Sequence, residues 1–416
     1  MLNILLYIKE HIFSLSFFCA LVFCLMDAGE SVDSIGYGLY YPMLFITATY
    51  AIFKAKHINF LYVTFLVVCF ISITFNKIPS YFHIHQRYAV YIILFLAFSG
   101  LINGRRLALF RLHLLHIFTY LTIILVIINY IAFIRGDLGE EQLEIYLDTG
   151  LYTGSTSNNE MALLASTAIM ALSVILIRYF TKINILVKIL IFIGLYFSIS
   201  MMALASSRTG LICTIIAVIV VVYKINQKNL LKLSGWTLVF ILAVILTANF
   251  MGDKFKYMIQ KNNDQLEFLY TGSRDEMWKS RIIEFKESPI FGIGFGYMKY
   301  GWGKEDAKEK KGRIETGSGW LTVLSQTGIL GAICVFLIVL PNFLFVFRRK
   351  VTSYCNAWLT GFTILFLIQP ISESYITTVG AVLGCLFWLN HSVIEAFRKG
   401  ILKDSDLISF NTKPDK

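Results

Sequence analysis

The chain has 416 residues, of which 57% are hydrophobic, 15% aromatic and 15% charged. A soluble globular protein carries about a quarter charged residues, so this composition excludes that class and indicates a membrane protein. The net charge of +11 does not point to nucleic acid, because most Lys and Arg fall in short connections between apolar runs.

The first run, MLNILLYIKEHIFSLSFFCALVFCLM, has no small-residue cleavage site and reads as a retained first helix. An apolar stretch of about 17–25 residues crosses the hydrocarbon layer as a helix. Such stretches fall in chain order at 11–27, 37–53, 57–76, 88–103, 111–134, 158–178, 184–206, 208–224, 230–251, 319–347, 354–371 and 374–397. The expected fold is therefore all-α, a polytopic membrane protein of about twelve spans with one large, partly helical outer loop. It divides into spans 1–9 over residues 1–251, the loop over 252–318, spans 10–12 over 319–397 and a tail over 398–416.

Charge orients these spans. Alternate connections hold Lys54 and Lys56; Arg105, Arg106 and Arg111; Arg178 and Lys182; Lys224, Lys228 and Lys232; and Arg348, Arg349 and Lys350. The tail adds Arg398 and Lys399, whereas 135–157 on the other side is acidic, with Asp137, Glu140, Glu141, Glu144 and Asp148. This asymmetry predicts that both termini are cytoplasmic and that 252–318 is external. All seven cysteines lie in or beside apolar segments without a CxxC pair, so they read as small buried hydrophobes.

Two small clusters precede the loop. Asp27, Glu30 and Asp33 are either ligands of a divalent ion or solvated loop acids. His83 and His85 read as an interfacial pair, since a metal site would want more ligands. Further on, SMMALASSRTGLICTII places Arg208 between two apolar runs, where an arginine is costly without a partner and marks either a site or a structural pin.

The loop carries the segment SRDEMWKSRIIEFKESPIFGIGFG, residues 273–296. Residues 275–288 have helical spacing, with Ser273 or Asp275 as N-cap and Ser288-Pro289 as terminator. Arg274, Trp278, Arg281 and Phe285 then share one face, with the arginines about 10 Å apart along the axis. Guanidinium forks bind phosphate bidentately, and an indole between them is a platform for a sugar. The alternative is an amphipathic helix lying on anionic lipid. Gly292, Gly294 and Gly296 permit close approach of a ligand or simply make a turn. Glu315 and Ser318, just before the tenth span, either serve an acceptor hydroxyl or cap the helix start. The chain contains no Walker loop and no serine–histidine–carboxylate constellation.

The order of these motifs resembles the O-antigen ligase/Wzy polymerase superfamily of bacterial envelope glycosyltransferases. The resemblance rests on R-x3-W-x2-R (Arg274, Trp278, Arg281), P-x-x-G-x-G (Pro289, Gly292, Gly294) and L-x-x-L-x-x-x-G-x-x-G (Leu321, Leu324, Gly328, Gly331). Arg281 and Gly292 also fit an R-x10-G pattern, Asn159 and Ala162 an N-x-[LM]-A element, and SSRTG an arginine-bearing turn between central spans. It covers roughly residues 150–335. The ligase branch has a histidine just before the tenth span, where this chain has Thr316-Gly317-Ser318-Gly319, so the polymerase branch is the closer fit.

The resemblance implies polymerisation of undecaprenyl-diphosphate-linked oligosaccharide repeat units on the periplasmic face of the inner membrane. Arg208 and Arg274 would clamp the diphosphate and Glu315 would orient or deprotonate the acceptor. Arg281, Trp278, Gly292, Gly294, Ser318 and Asn159 would bind substrate. No metal, cofactor or nucleotide sugar is called for; the partners are the lipid-linked glycan, membrane lipid and a chain-length regulator, with no nucleic acid. Three alternatives stay open: a ligase acting on lipid A core, a transporter of glycolipid or small polar solutes, and a metal-dependent transferase using Asp27, Glu30 and Asp33. A transporter would place charges near the midplane, whereas here they crowd the outer rim.

The orientation is testable by cysteine labelling in a variant without native cysteines. With an impermeant reagent on intact spheroplasts, Asp306→Cys is expected to label and Lys350→Cys to stay unlabelled. The reverse pattern would overturn the assignment.

Overall fold

The structure is a computed structural model that describes residues 14–26, 30–136, 152, 158–205, 207–226, 273–300, 317–349, 354–403 and 406, with separate positions between 231 and 252. For residues 30–34, 158, 159, 273 and 354–356 the backbone alone is described. Asp27, Glu315 and the side chains of Glu30, Asp33 and Asn159 thus lie outside the described residues. In chain order the helices are α1 (Leu15–Met26), α2 (Glu30–Lys54), α3 (Phe60–Thr74), α4 (Ile84–Phe98), α5 (Arg105–Arg135), α6 (Asn158–Tyr179), α7 (Ile185–Leu204) and α8 (Arg208–Asn226). They continue as α9 (Ser273–Glu287), α10 (Gly319–Arg348), α11 (Tyr354–Ile368) and α12 (Val382–Arg398). Two two-residue strands, β1 (His57–Ile58) and β2 (Ile102–Asn103), pair antiparallel between helices.

The protein is an all-α membrane protein, but its helices depart from twelve uniform spans. Five of the described helices, α5, α6, α7, α8 and α10, are long and apolar enough to cross a membrane. Where spans were expected at 57–76, 88–103 and 354–371, the helices have only 15 residues each, a rise of about 22 Å. The expected span 374–397 is corrected further: residues 372–381 are not helical and α12 begins only at Val382. Apolar composition alone does not reveal that the 372–381 backbone leaves the helix. The expectation for 230–251 falls mostly on residues outside the description.

Local chemistry accounts for several helix ends. The Asn59 side chain accepts from the Leu61 amide at the start of α3, and Asn184 accepts from Val187 at the start of α7. Arg111, expected among the connection cations, is instead buried within α5. Its guanidinium donates to the carbonyls of Leu96 and Ala97, which end α4, and to that of Ile102. These are carbonyls that a helix terminus leaves without intrahelical partners. Lys224 does the same at the end of α10, donating to the carbonyls of Phe347 and Arg349.

α12 is the centre of the molecule. Every side chain from Val382 to Phe397 is buried, as expected for a helix surrounded by other helices. It packs against α4, α5, α10 and α11. Trp388 sits among Tyr62, Phe65, Phe95 and Phe387 with ring centroids 4.6–6.2 Å apart. Near its C-terminal end, Glu395 accepts from Asn59 Nδ2 at 2.7 Å and from the Tyr62 hydroxyl at 2.8 Å.

The junction that organises the other end is a break in α10. Gly328 takes φ 62° and ψ −166°, outside helical geometry, which strands the carbonyls before it and the amides after it. The segment after α9 replaces the missing bonds. Ile293 and Gly294 donate to the carbonyls of Ser325 and Gln326, while the amides of Ile329 and Leu330 donate to Pro289 and Ile290. Asn76 Nδ2 and Ser72 Oγ, at the end of α3, hold the same segment at the Gly292 carbonyl and the Phe295 amide.

Gly292 shows how tight this junction is. At φ +74°, a Cβ there would lie 2.3 Å from the Gln326 carbonyl carbon. Gly292→Ala is therefore expected to destabilise by at least about 2 kcal/mol, from backbone strain plus overpacking. Gly380→Ala, where no atom lies within 4 Å of the added carbon, is the control and should be near neutral. Thermal midpoints of the purified proteins in detergent check both.

Candidate functional site

Three pieces of chain meet at the start of α10. Ser318 is its N-cap, accepting from the Leu321 amide and donating to the Pro370 carbonyl at 3.2 Å. The Gly319 amide donates to the Glu373 carbonyl at 2.9 Å, and the Trp320 indole donates to Leu367. The first turn of α10 is thus fixed to the stretch 367–373. Helix α9 closes over it: Trp278 Nε1 donates to the Gly317 carbonyl at 3.2 Å, and Arg274 Nη2 reaches Glu373 Oε1 at 2.9 Å.

Of the face shared by Arg274, Trp278, Arg281 and Phe285, Arg281 is buried and the other three are half-buried. Helix α9 packs on α10, burying Met277, Ser280, Arg281 and Glu284.

The two arginines of α9 have different fates. Arg281 and its ion-pair partner Glu284, 2.9 Å apart, are only 1% and 0% exposed. Glu284 also accepts from the amides of Lys299 and Tyr300, and Arg281 donates to the Tyr300 carbonyl. Burial pushes the Glu284 carboxyl up and the Arg281 guanidinium down, each opposed by its partner. Arg281 Nε and Nη1 find no acceptor among the described residues. The pair therefore holds the 297–300 stretch in place without full recovery of its desolvation cost. Arg274 and Glu373 lie nearer water, at 20% and 14% exposed.

Helix α8 supplies the next wall. It begins at Arg208 after Ser207, whose Oγ accepts from the Gly210 amide. A Cβ on Gly210 would touch that of Ala162 at 3.0 Å, and Thr214 bonds Ser166 at 2.8 Å, so the starts of α6 and α8 are in contact. Helix α8 also packs on the turn Gln369–Ile371. Arg208 is half-buried and has no hydrogen-bond or ion-pair partner among the described residues.

The structure thus links these helices in series: the starts of α6 and α8 touch, α8 packs on the turn Gln369–Ile371, and the stretch 367–373 holds the start of α10 and Arg274 of α9. It places Arg274, Trp278 and Ser318 around the start of α10 and Arg208 at the start of α8. It turns Arg281 into the protein. Gly292 and Gly294 are corrected in kind: their close neighbours are the backbone of α10, and Ile78 with the Ser72 carbonyl, rather than open ligand space. The Ser318 hydroxyl is likewise committed to Leu321 and Pro370. The residue that motif reading missed is Glu373. Its signal was an acid in ISES, in the short connection before the last expected span.

Residues 193–336 match the family described as O-antigen ligase. The match begins within α7, contains α8, α9 and the stitched break, and ends inside α10. The chain is also 29% identical over 196 residues to an uncharacterized protein of Haemophilus influenzae, a match covering 42% of this chain and 47% of that one. It thus spans about half the length of that relative.

Arg281 and Glu284 lie inside the matched stretch and are expected to act through stability. Alanine at either one leaves a buried charge alone, costing about 3–5 kcal/mol. Arg281→Met combined with Glu284→Leu should recover part of that loss, because neither charge is then stranded, although the amides of Lys299 and Tyr300 lose their acceptor. Thermal midpoints test this; a stable Arg281→Ala that had lost only ligand binding would return Arg281 to the substrate.

Proposed function

We propose that the chain, whose residues 193–336 match the O-antigen ligase family, polymerises a surface polysaccharide from polyprenyl-diphosphate-linked repeat units at the periplasmic face of the inner membrane. The observation that carries this reading is Arg208, a half-buried cation with no acid partner among the described residues, on a helix that packs against the junction holding a second half-buried arginine, Arg274. In the reaction, an acceptor hydroxyl of one lipid-linked unit attacks the anomeric carbon of another. The carbon–oxygen bond to the diphosphate breaks, and the lipid diphosphate leaves with the electron pair. Arg208 and Arg274 supply fixed positive charge where that negative charge develops. The starts of α6, α8 and α10 add helix dipoles of the same sign.

Glu315, three residues before Ser318 in the chain, is proposed to take or orient the acceptor proton. Trp278 presents an indole beside the arginines as a sugar platform. Confinement of both substrates to one membrane contributes proximity. The absence of histidine from Thr316–Gly319 favours polymerase over ligase. The ligase reading keeps the support of the matched family's own description, and the lipopolysaccharide pattern separates the two. In a deletion strain, loss of the ladder with one capped repeat indicates polymerase, and complete loss of capped core indicates ligase.

Arg208→Ala and Arg274→Ala are expected to reduce in vitro extension of purified lipid-linked units by at least about 100-fold, at unchanged protein levels. Lysine at either position should restore little, because a point charge cannot reproduce the guanidinium fork. Full extension by both alanine variants would overturn the diphosphate role.

A further inference from the structure

Helix α9 carries two arginine–glutamate pairs seven residues apart, and their contrast is informative. Arg281–Glu284 is sealed, with the carboxylate also held by two backbone amides. Arg274–Glu373 joins two distant parts of the chain through Nη2 and Oε1 in a partly hydrated position. Fully buried pairs do not exchange partners without losing structure, whereas pairs at the water boundary do so at small cost.

We propose that Glu373 is an anion placeholder: its carboxylate occupies Arg274 while the site is empty and yields that position to the diphosphate of the lipid-linked donor. This rests on the diphosphate reading given above. Three features support it. The backbone of Glu373 is fixed independently of its side chain, its carbonyl accepting from Gly319 and its amide donating to the Gln369 carbonyl at 3.1 Å. The carboxylate can therefore swing away while the start of α10 stays in place. A diphosphate offers more oxygens and more charge than a carboxylate and fits the guanidinium fork better. Among the described residues Arg208 has no ion-pair partner, and Arg274 is held by a carboxylate at the water boundary, so an anionic ligand finds one arginine ready and the other exchangeable.

The placeholder also has a use. Two bare arginines at a membrane rim would attract the headgroups of anionic phospholipids, which outnumber any biosynthetic intermediate. A tethered carboxylate raises the threshold, so that a monoanionic headgroup competes poorly and a diphosphate still binds. Glu373 thereby becomes a specificity-determining residue of the donor site.

The test uses the full-length protein in phosphatidylcholine nanodiscs, with undecaprenyl diphosphate as probe and phosphatidylglycerol as the competing arm. Glu373→Gln is expected to bind undecaprenyl diphosphate about tenfold more tightly than wild type. It should also become sensitive to phosphatidylglycerol, and the gain should vanish in the Arg274→Ala, Glu373→Gln double variant. Should Gln lower the thermal midpoint, Glu373→Asp carries the same comparison, since it keeps the charge but withdraws it by one methylene. Wild type that binds the probe through Arg208, with unchanged or weaker binding in both Glu373 variants, overturns the placeholder alone. Wild type and variants that all fail to bind overturn the diphosphate reading and the placeholder with it. Tightening confined to phosphatidylglycerol makes the occupant a lipid headgroup and overturns the donor assignment.

Discussion

A helix cannot be interrupted inside a membrane protein unless something else satisfies its backbone, and the break at Gly328 is the constraint on which this structure turns. The carbonyls of Ser325 and Gln326 and the amides of Ile329 and Leu330 are bonded by residues 289–294. Those residues follow α9 directly, so the stitch fixes where α9 ends. From there the Arg281–Glu284 pair and the Trp278–Gly317 bond fix how α9 lies, and Arg274 is delivered to Glu373. Helix α9 is in this way positioned by the backbone of the long apolar helix α10.

Much of this was legible in the chain. The expected 158–178 and 208–224 became Asn158–Tyr179 and Arg208–Asn226, because a long apolar run bounded by polar residues leaves little freedom. The helix expected at 275–288 is found at Ser273–Glu287, ended where Ser288-Pro289 said it would end. The meaning of the glycines was not legible. A glycine at positive φ announces close approach, but sequence does not say whether a ligand or another backbone is approaching. At Gly292 it is the backbone of Gln326.

Arg274 and Arg281 illustrate a second limit. Seven-residue spacing puts them on one face, yet one is sealed and the other is at the water boundary. The difference lies in Glu284, three residues after Arg281, which supplies a partner within the same helix, whereas the partner of Arg274 comes from 99 residues away. Local partners can be read from a helix pattern; distant ones cannot. The non-helical stretch 372–381 escaped for a related reason, since hydropathy registers what a segment is made of and not which bonds its backbone makes.

The burial of α12 bears on the order in which the protein is made. The slot that α12 fills is lined by α4, α5, α10 and α11, all synthesised before it. Until it arrives, that slot must be occupied by lipid or by transient packing among the earlier helices. α12 brings Asn390, His391 and Glu395 with it, side chains that are costly to leave in hydrocarbon. The burial of these groups and the docking of α12 are therefore coupled: Glu395 finds Asn59 and Tyr62 only when the slot receives it. Ribosome stalling between α11 and α12 would leave an inserted but unlocked bundle, a natural substrate for membrane quality control.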